Sequence, residues 1–144
     1  MEKIDFKEFS NTSFWKEGDD DIIFFTYSPN LEMGISDAKE IVKNRLEYTN
    51  GKSAYVLVDA TNIKSTTKEA REYMSDPMGG LSGILGGAFL SNKIVTTVIV
   101  NLFFKINQPS VPAKFFTDKE EALNWLKKIK AENSEKAVAH EHRN

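Results

Sequence analysis

The chain has 144 residues, the size of one domain, and its hydrophobic share of 40% is enough to build a single core. Its 19 basic residues stand against 21 acidic ones, so a net charge of -2 leaves no positive surplus for nucleic acid or an anionic membrane surface. The absence of cysteine excludes disulfides, thiolate metal sites and a cysteine nucleophile.

The segment 1–9 is polar and lacks the apolar stretch of a secretory signal. No apolar run reaches the roughly 18 residues that a membrane-spanning helix needs. Together with the lack of cysteine, these features predict a cytoplasmic protein with no integral membrane association.

The block from Phe14 to Tyr27 predicts a β-hairpin, because two apolar runs flank a turn-forming stretch at 17–21. Its second strand, 22–27, is apolar at both odd and even positions and should therefore be central in the sheet. A helix is expected to begin at Ser36 or Asp37 and to end at Asn50-Gly51, with apolar residues at helical spacing between them.

Further along the chain, Thr66 with Glu69 and Thr117 with Glu120 have the spacing of capping boxes, so each pair predicts a helix start. The second of these helices should continue to Ile129. Three short β-rich runs complete the pattern, and we expect strands at Ala54–Asp59, Ala88–Leu90 and Ala113–Phe116.

The segment Asn92 to Ile106 is rich in Val, Ile and Thr, which favours a strand. Its length and the helical spacing of its apolar residues favour a helix, which is our prediction. A polar stripe containing Thr97 lies on that helix, and Val100 and Phe104 fall far from its apolar face. The chain from 131 to 144 is polar and aperiodic, so we expect one domain over 1–130 followed by a disordered tail.

The segments ISDAKEIVKNRLEY, YVLVDATNIKSTTKEAREYM and FFTDKEEALNWL resemble the SpoIIAA-like group of small bacterial proteins, which is related to STAS domains. The resemblance implies an α/β fold, a βα superhelix with an open mixed sheet of about five strands and helices packed along it. STAS relatives generally act as protein-interaction switches, some of them phosphorylated on a serine in an Asp-Ser-Ser-Gly type motif. That motif is absent here, but Ser65, Thr66 and Thr67 are hydroxyls at the corresponding place.

Other candidate chemistry has simpler interpretations. The glycine-rich segment Gly79–Gly87 could cradle a phosphate but lacks the Lys-Ser/Thr of a phosphate loop, so tight turns and close packing are favoured. The acids 19–21 fit a solvated turn, and Asp59 fits a turn cap better than a functional acid. His140 and His142 lie in the predicted tail. The sequence therefore predicts no metal site, no cofactor and no catalytic constellation.

We accordingly expect a regulatory module, and no enzyme, that acts by protein–protein interaction as a homodimer. Its contact surface would be a ridge of Thr96, Val100, Phe103 and Phe104, unless the glycine-rich segment buries that ridge. The alternative is a carrier or sensor of an apolar small molecule or lipid, bound between the 92–106 helix and the 79–87 segment. Met74, Met78 and Leu81 would supply the adaptable walls of that site.

Overall fold

The computed structural model describes residues 2–94 and 110–142, and the side chains of residues 2–94 and 110–134. These residues form eight strands and three helices: β1 (Ile4–Glu8), β2 (Thr12–Lys16), β3 (Ile22–Tyr27), β4 (Leu31–Met33), α1 (Ile35–Tyr48), β5 (Ala54–Asp59), β6 (Ile63–Thr66), α2 (Lys68–Met74), β7 (Ile84–Leu90), β8 (Ala113–Phe116) and α3 (Lys119–His142). None of the helices in this described part has the length and apolar character needed to cross a membrane.

A mixed sheet of six strands, in the order β1-β2-β3-β5-β7-β8, organises the fold. β1 and β2 pair antiparallel, as do β2 and β3, whereas β3, β5, β7 and β8 are parallel. The predicted hairpin and the central position of its second strand are confirmed. The sheet has one strand more than the predicted five, because 4–8 adds an edge strand that the polar start of the chain concealed. A separate parallel pair joins β4 to β6.

Both faces of the sheet are covered. On one face, which we call the α1–α2 face, Phe25 and Val56 pack with Ile41 of α1 and Ala70 of α2. On the opposite face, the α3 face, Phe24 and Leu57 pack with Ala122 and Leu126 of α3. Successive residues of β3 and β5 therefore enter different cores, which explains why both strands are apolar at odd and even positions, with Thr26 and Asp59 as the exceptions near their ends.

The ends of the first two helices follow local hydrogen bonds. α1 begins at Ile35, one residue before the predicted start, because the Asp37 carboxylate accepts a bond of 3.0 Å from the Gly34 N–H. It ends before Asn50 and Gly51, whose positive φ angles of 54° and 75° confirm the predicted stop. α2 is capped by Thr67, one residue later than predicted, and the Thr67 hydroxyl accepts from the Ala70 N–H.

The glycine-rich segment 79–87 forms a turn and the first half of β7. This strand begins four residues earlier than predicted. A Cβ atom at Gly86 would lie 2.8 Å from Cδ1 of Ile129, so glycine allows α3 to approach the sheet. At Gly80 a Cβ would lie 2.2 Å from the Met74 carbonyl oxygen. These distances confirm that the segment serves tight turns and close packing.

Helix α3 begins after Asp118 and not after Thr117, because the Asp118 carboxylate accepts from the Glu121 N–H at 2.9 Å. The helix continues to His142, where the sequence predicts an irregular tail from residue 131. The physical reason is that 131–142 contains strong helix formers and neither glycine nor proline, so nothing local stops the helix. Asn133 also donates a hydrogen bond to the Tyr55 hydroxyl.

Candidate functional site

A cavity of about 100 Å³ lies on the α1–α2 face, between the two helices and the sheet. Most of its walls are apolar. Its lining side chains come from the sheet, from both helices and from the glycine-rich segment, and they include Tyr27, Arg45, Ala70, Arg71, Met74 and Leu81.

The cavity exists because its cover is thin. α2 has seven residues and only one of them, Ala70, is fully buried. A methyl group at that position cannot fill the space above the large side chains of β3 and β5. Ala60, which follows β5, and Gly87 of β7 also line the cavity and add little volume. Small residues at three points therefore leave the cavity open.

Arg45 is the most unusual residue in the cavity wall. It lies in the last turn of α1 and is only 4% exposed. Its Nη2 donates a hydrogen bond of 3.0 Å to the Gly80 carbonyl oxygen. Burial lowers the pKa of Arg45 to about 10, and no ion pair joins it to an acidic side chain within the described ranges. Burying a cation without a carboxylate partner costs free energy. A hydrogen-bond acceptor from outside the chain, bound beside Arg45, would lower that cost.

Tyr27 lies near Arg45 and also lines the cavity. Burial raises its pKa above the usual range of a phenol, and the positive charge of Arg45 opposes this increase only in part. The phenol is therefore neutral at physiological pH and keeps its proton. The cavity thus combines apolar walls with a cationic donor and a neutral hydroxyl.

Arg71, a second arginine of the wall, differs from Arg45. It is half-buried, and its Nη1 donates to the carbonyl oxygen of Thr66 at 2.9 Å and to the Thr66 hydroxyl at 3.1 Å. The three predicted switch hydroxyls consequently have different surroundings. Thr66 accepts from Arg71, Thr67 caps α2, and Ser65 is exposed on β6.

The acids considered from the sequence lie outside the cavity. The Asp59 carboxylate accepts from the Thr61 N–H at 3.0 Å, which is the turn-capping role. Asp20, in the hairpin turn, forms an exposed ion pair of 3.4 Å with Lys127. His140 and His142 belong to α3. Among the residues that the structure describes, no cluster of three His, Cys, Asp or Glu could hold a metal ion.

The predicted ridge of Thr96, Val100, Phe103 and Phe104 lies outside the described residues, as does most of the predicted helix Asn92–Ile106. Of the three residues predicted to form the walls of a ligand site, two line the cavity. Met74 and Leu81 line the cavity, whereas Met78 is 89% exposed and does not.

Sequence reasoning missed Arg45 and Tyr27. A signal for Arg45 was nevertheless present, because Ala38, Ile41, Val42 and Arg45 follow the i, i+3, i+4, i+7 spacing of one buried helix face. An arginine at the last of these positions is a charge on an apolar face. Nothing comparable distinguishes Tyr27, which continues an apolar strand.

Comparisons with known proteins bear first on the fold. No curated protein matches the chain. A crystal structure of an uncharacterized protein of the DUF3478 family from Shewanella loihica PV-4, which has a SpoIIAA-like fold, is similar with a TM-score of 0.58. The alignment covers 83% of this chain and 97% of that chain at 15% identity. It confirms the predicted SpoIIAA-like α/β fold and carries no conclusion about function.

A family model places the chain more directly. The model describes a domain of unknown function, DUF7793, and it matches residues 14–130, from the first strand of the hairpin to the middle of α3. The chain therefore belongs to the DUF7793 family.

Proposed function

We propose that this protein is a cytoplasmic, non-enzymatic binding module that holds an apolar small molecule in the cavity of the α1–α2 face. The sequence ranks this role second, after protein–protein interaction. The observation that carries it is the apolar cavity of about 100 Å³ beneath α2. Interaction through the predicted ridge stays a prediction.

The volume sets the size of the ligand. An engineered apolar cavity of about 150 Å³ stays dry and takes up benzene. The cavity here is smaller, about 100 Å³, so its ligand should be no larger than one small ring or a short alkyl chain. Removing such a group from water contributes about 25 cal/mol for each Å² of apolar surface. Met74 and Leu81 can adjust the walls, because Met side chains are flexible and polarisable.

The polar groups of the wall favour binding over catalysis. The titratable side chains among its described residues are Arg45, Arg71 and Tyr27. Arginine stays protonated, and burial raises the pKa of Tyr27, so neither type supplies a general base near neutral pH. These groups can orient a ligand without transferring a proton to it.

The first test is uptake of toluene by the purified protein, measured by thermal shift and by saturation-transfer NMR. Ala70→Leu should remove binding, because the larger side chain would occupy the cavity. Ala131→Leu is the matched control, since Ala131 is an exposed residue of α3. We expect toluene to raise the melting temperature of the wild type and of A131L and to leave A70L unchanged.

Native mass spectrometry of freshly purified protein complements this test, because a retained ligand would appear as added mass. If toluene binds A70L as well as the wild type, the cavity is not the site. If none of toluene, hexan-1-ol and hexanoate binds, the proposed function is wrong.

A further inference from the structure

The cavity contains one feature that an apolar ligand alone does not explain. Arg45 is more than nine-tenths buried and lines the cavity, and among the described residues its side chain makes a single hydrogen bond, to the Gly80 carbonyl. A guanidinium has five N–H donors. Within the described chain no carboxylate neutralises it.

We infer that the ligand is a short apolar carboxylic acid whose carboxylate pairs with Arg45 while its chain or ring fills the apolar part of the cavity. This inference rests on the proposed function and names the chemical class of its ligand.

The carboxylate follows from geometry and charge. The planar guanidinium fork matches a carboxylate with two parallel hydrogen bonds, and such charge-assisted bonds are about twice as strong as neutral ones. One negative charge balances one buried arginine. A phosphate monoester carries up to two charges and would bring an uncompensated one into an apolar cavity, so we favour the carboxylate.

Arg45 is a better partner than Arg71 because of the bonds each already makes. Arg71 is half-buried, and one of its nitrogens is shared between the carbonyl and the hydroxyl of Thr66. Arg45 is more deeply buried, so its hydrogen bonds to a ligand would form in a medium of lower dielectric constant. Tyr27 lines the same cavity, and its neutral hydroxyl can donate a hydrogen bond to that carboxylate.

The experiment compares hexanoate with hexan-1-ol by isothermal titration calorimetry on the full chain. In an apolar cavity without a cation the alcohol would bind more tightly, because removing a carboxylate from water is costly. With Arg45 present we expect hexanoate to bind about tenfold more tightly than the alcohol. This comparison uses the wild type alone and does not depend on whether a variant folds.

Variants then assign the effect to one arginine. Arg45→Met keeps an unbranched apolar stem and removes the guanidinium with its charge. We expect hexanoate to bind about tenfold more weakly and hexan-1-ol to bind as well as before. Arg71→Met is the matched control and should keep the preference of the wild type for the acid.

Three outcomes would overturn the inference. If the wild type binds hexan-1-ol as tightly as hexanoate, the ligand is not a carboxylate, although the proposed function stands. If R71M loses the preference and R45M keeps it, the wrong arginine has been assigned. If A70L still binds hexanoate, the acid binds outside the cavity. Failure of every ligand, toluene included, would instead refute the proposed function.

Discussion

The two faces of the sheet differ in how completely their side chains fill the space beneath the helices. On the α3 face, Ala122 and Leu126 are fully buried, and Gly86 lets α3 lie close to the sheet. On the α1–α2 face, Ala70 is the only fully buried residue of the short helix α2, and a cavity remains beside a buried arginine. Cavities and unpaired buried charges both reduce stability. A closely packed face can offset these costs. The contrast is consistent with the proposal that the α1–α2 face binds a ligand while the α3 face stabilises the fold.

Leu126→Ala should have the largest effect on stability. Leu126 is 0% exposed on the α3 face, so its truncation should lower the free energy of unfolding by about 2 to 5 kcal/mol. Met74→Ala, in the wall of the cavity, should cost less than about 2 kcal/mol, because Met74 already borders a void. Urea denaturation of both variants measures the difference. Equal losses would contradict the contrast between the faces.

The same substitution made on each face sharpens the comparison. Ala122→Leu adds volume where none is free and should cost about 1 to 3 kcal/mol. Ala70→Leu adds the same volume beside the cavity and should change stability by less than about 1 kcal/mol. Thermal melts of the two variants without ligand provide the measurement. A larger loss in A70L than in A122L would show that the cavity cannot accept a side chain.

An ion pair on the α3 face joins Glu17, which follows β2, to Lys119, the first residue of α3. Lys119 donates to both carboxylate oxygens of Glu17, at 3.0 and 2.9 Å, and Trp15 Nε1 donates to Glu17 at 2.8 Å. Burial by itself would raise the pKa of Glu17, but these bonds outweigh it and hold the pKa below its ordinary value. We expect Glu17→Gln to cost about 1.5 kcal/mol at neutral pH, because a hydrogen-bonded charge is lost.

The sign of the pH dependence follows from that lowered pKa. The contribution of Glu17 to stability is complete above its ordinary pKa of 4.5 and is lost as the pH falls through the lower value of the folded state. Denaturation from pH 7 to pH 3 should therefore show E17Q and the wild type converging in acid. A constant difference across this range would contradict the ion pair's role.

Most of the architecture was predictable because it depends on local patterns. The hairpin, the central strand and β5 follow from runs of apolar residues, and the end of α1 follows from Asn50 and Gly51. Caps were the main source of error. Thr66 and Thr67 are adjacent hydroxyls, and only packing decides which one caps α2. The edge strand β1 is exposed along its whole length, and its two apolar residues, Ile4 and Phe6, are too short an alternation to predict a strand.

The site was less predictable than the fold, since a cavity is a property of packing. No local pattern shows that Ala60, Ala70 and Gly87 come together and leave space. The charge on the apolar face of α1 was visible in the spacing of Arg45, but its carbonyl partner, Gly80, lies 35 residues away in sequence. Long-range contacts of this kind require the assembled sheet.

The hydroxyls near α2 give a smaller effect on the cavity side. Thr67→Ala removes the cap of α2 and should cost about 1 kcal/mol. Ser65→Ala, two residues earlier and exposed, should stay within about 0.5 kcal/mol of the wild type. Chemical denaturation distinguishes the two. If S65A is as destabilised as T67A, Ser65 has a structural role, and its value as a free switch hydroxyl is lost.

The smallest change in stability is expected for Phe104→Asp. Phe104 lies outside the residues that the structure describes, so this prediction comes from the sequence alone. Phe104 belongs to the predicted ridge. At a twofold interface there, burial of each large apolar side chain would contribute about 1.5 to 3 kcal/mol of favourable free energy before the cost of association is subtracted. We expect F104D to leave the melting temperature nearly unchanged and to dissociate the dimer in sedimentation velocity. Thr97→Asp, on the polar stripe of the same segment, is the matched control and should leave the dimer intact. If F104D unfolds the protein, Phe104 is a core residue, and self-association through the ridge is wrong.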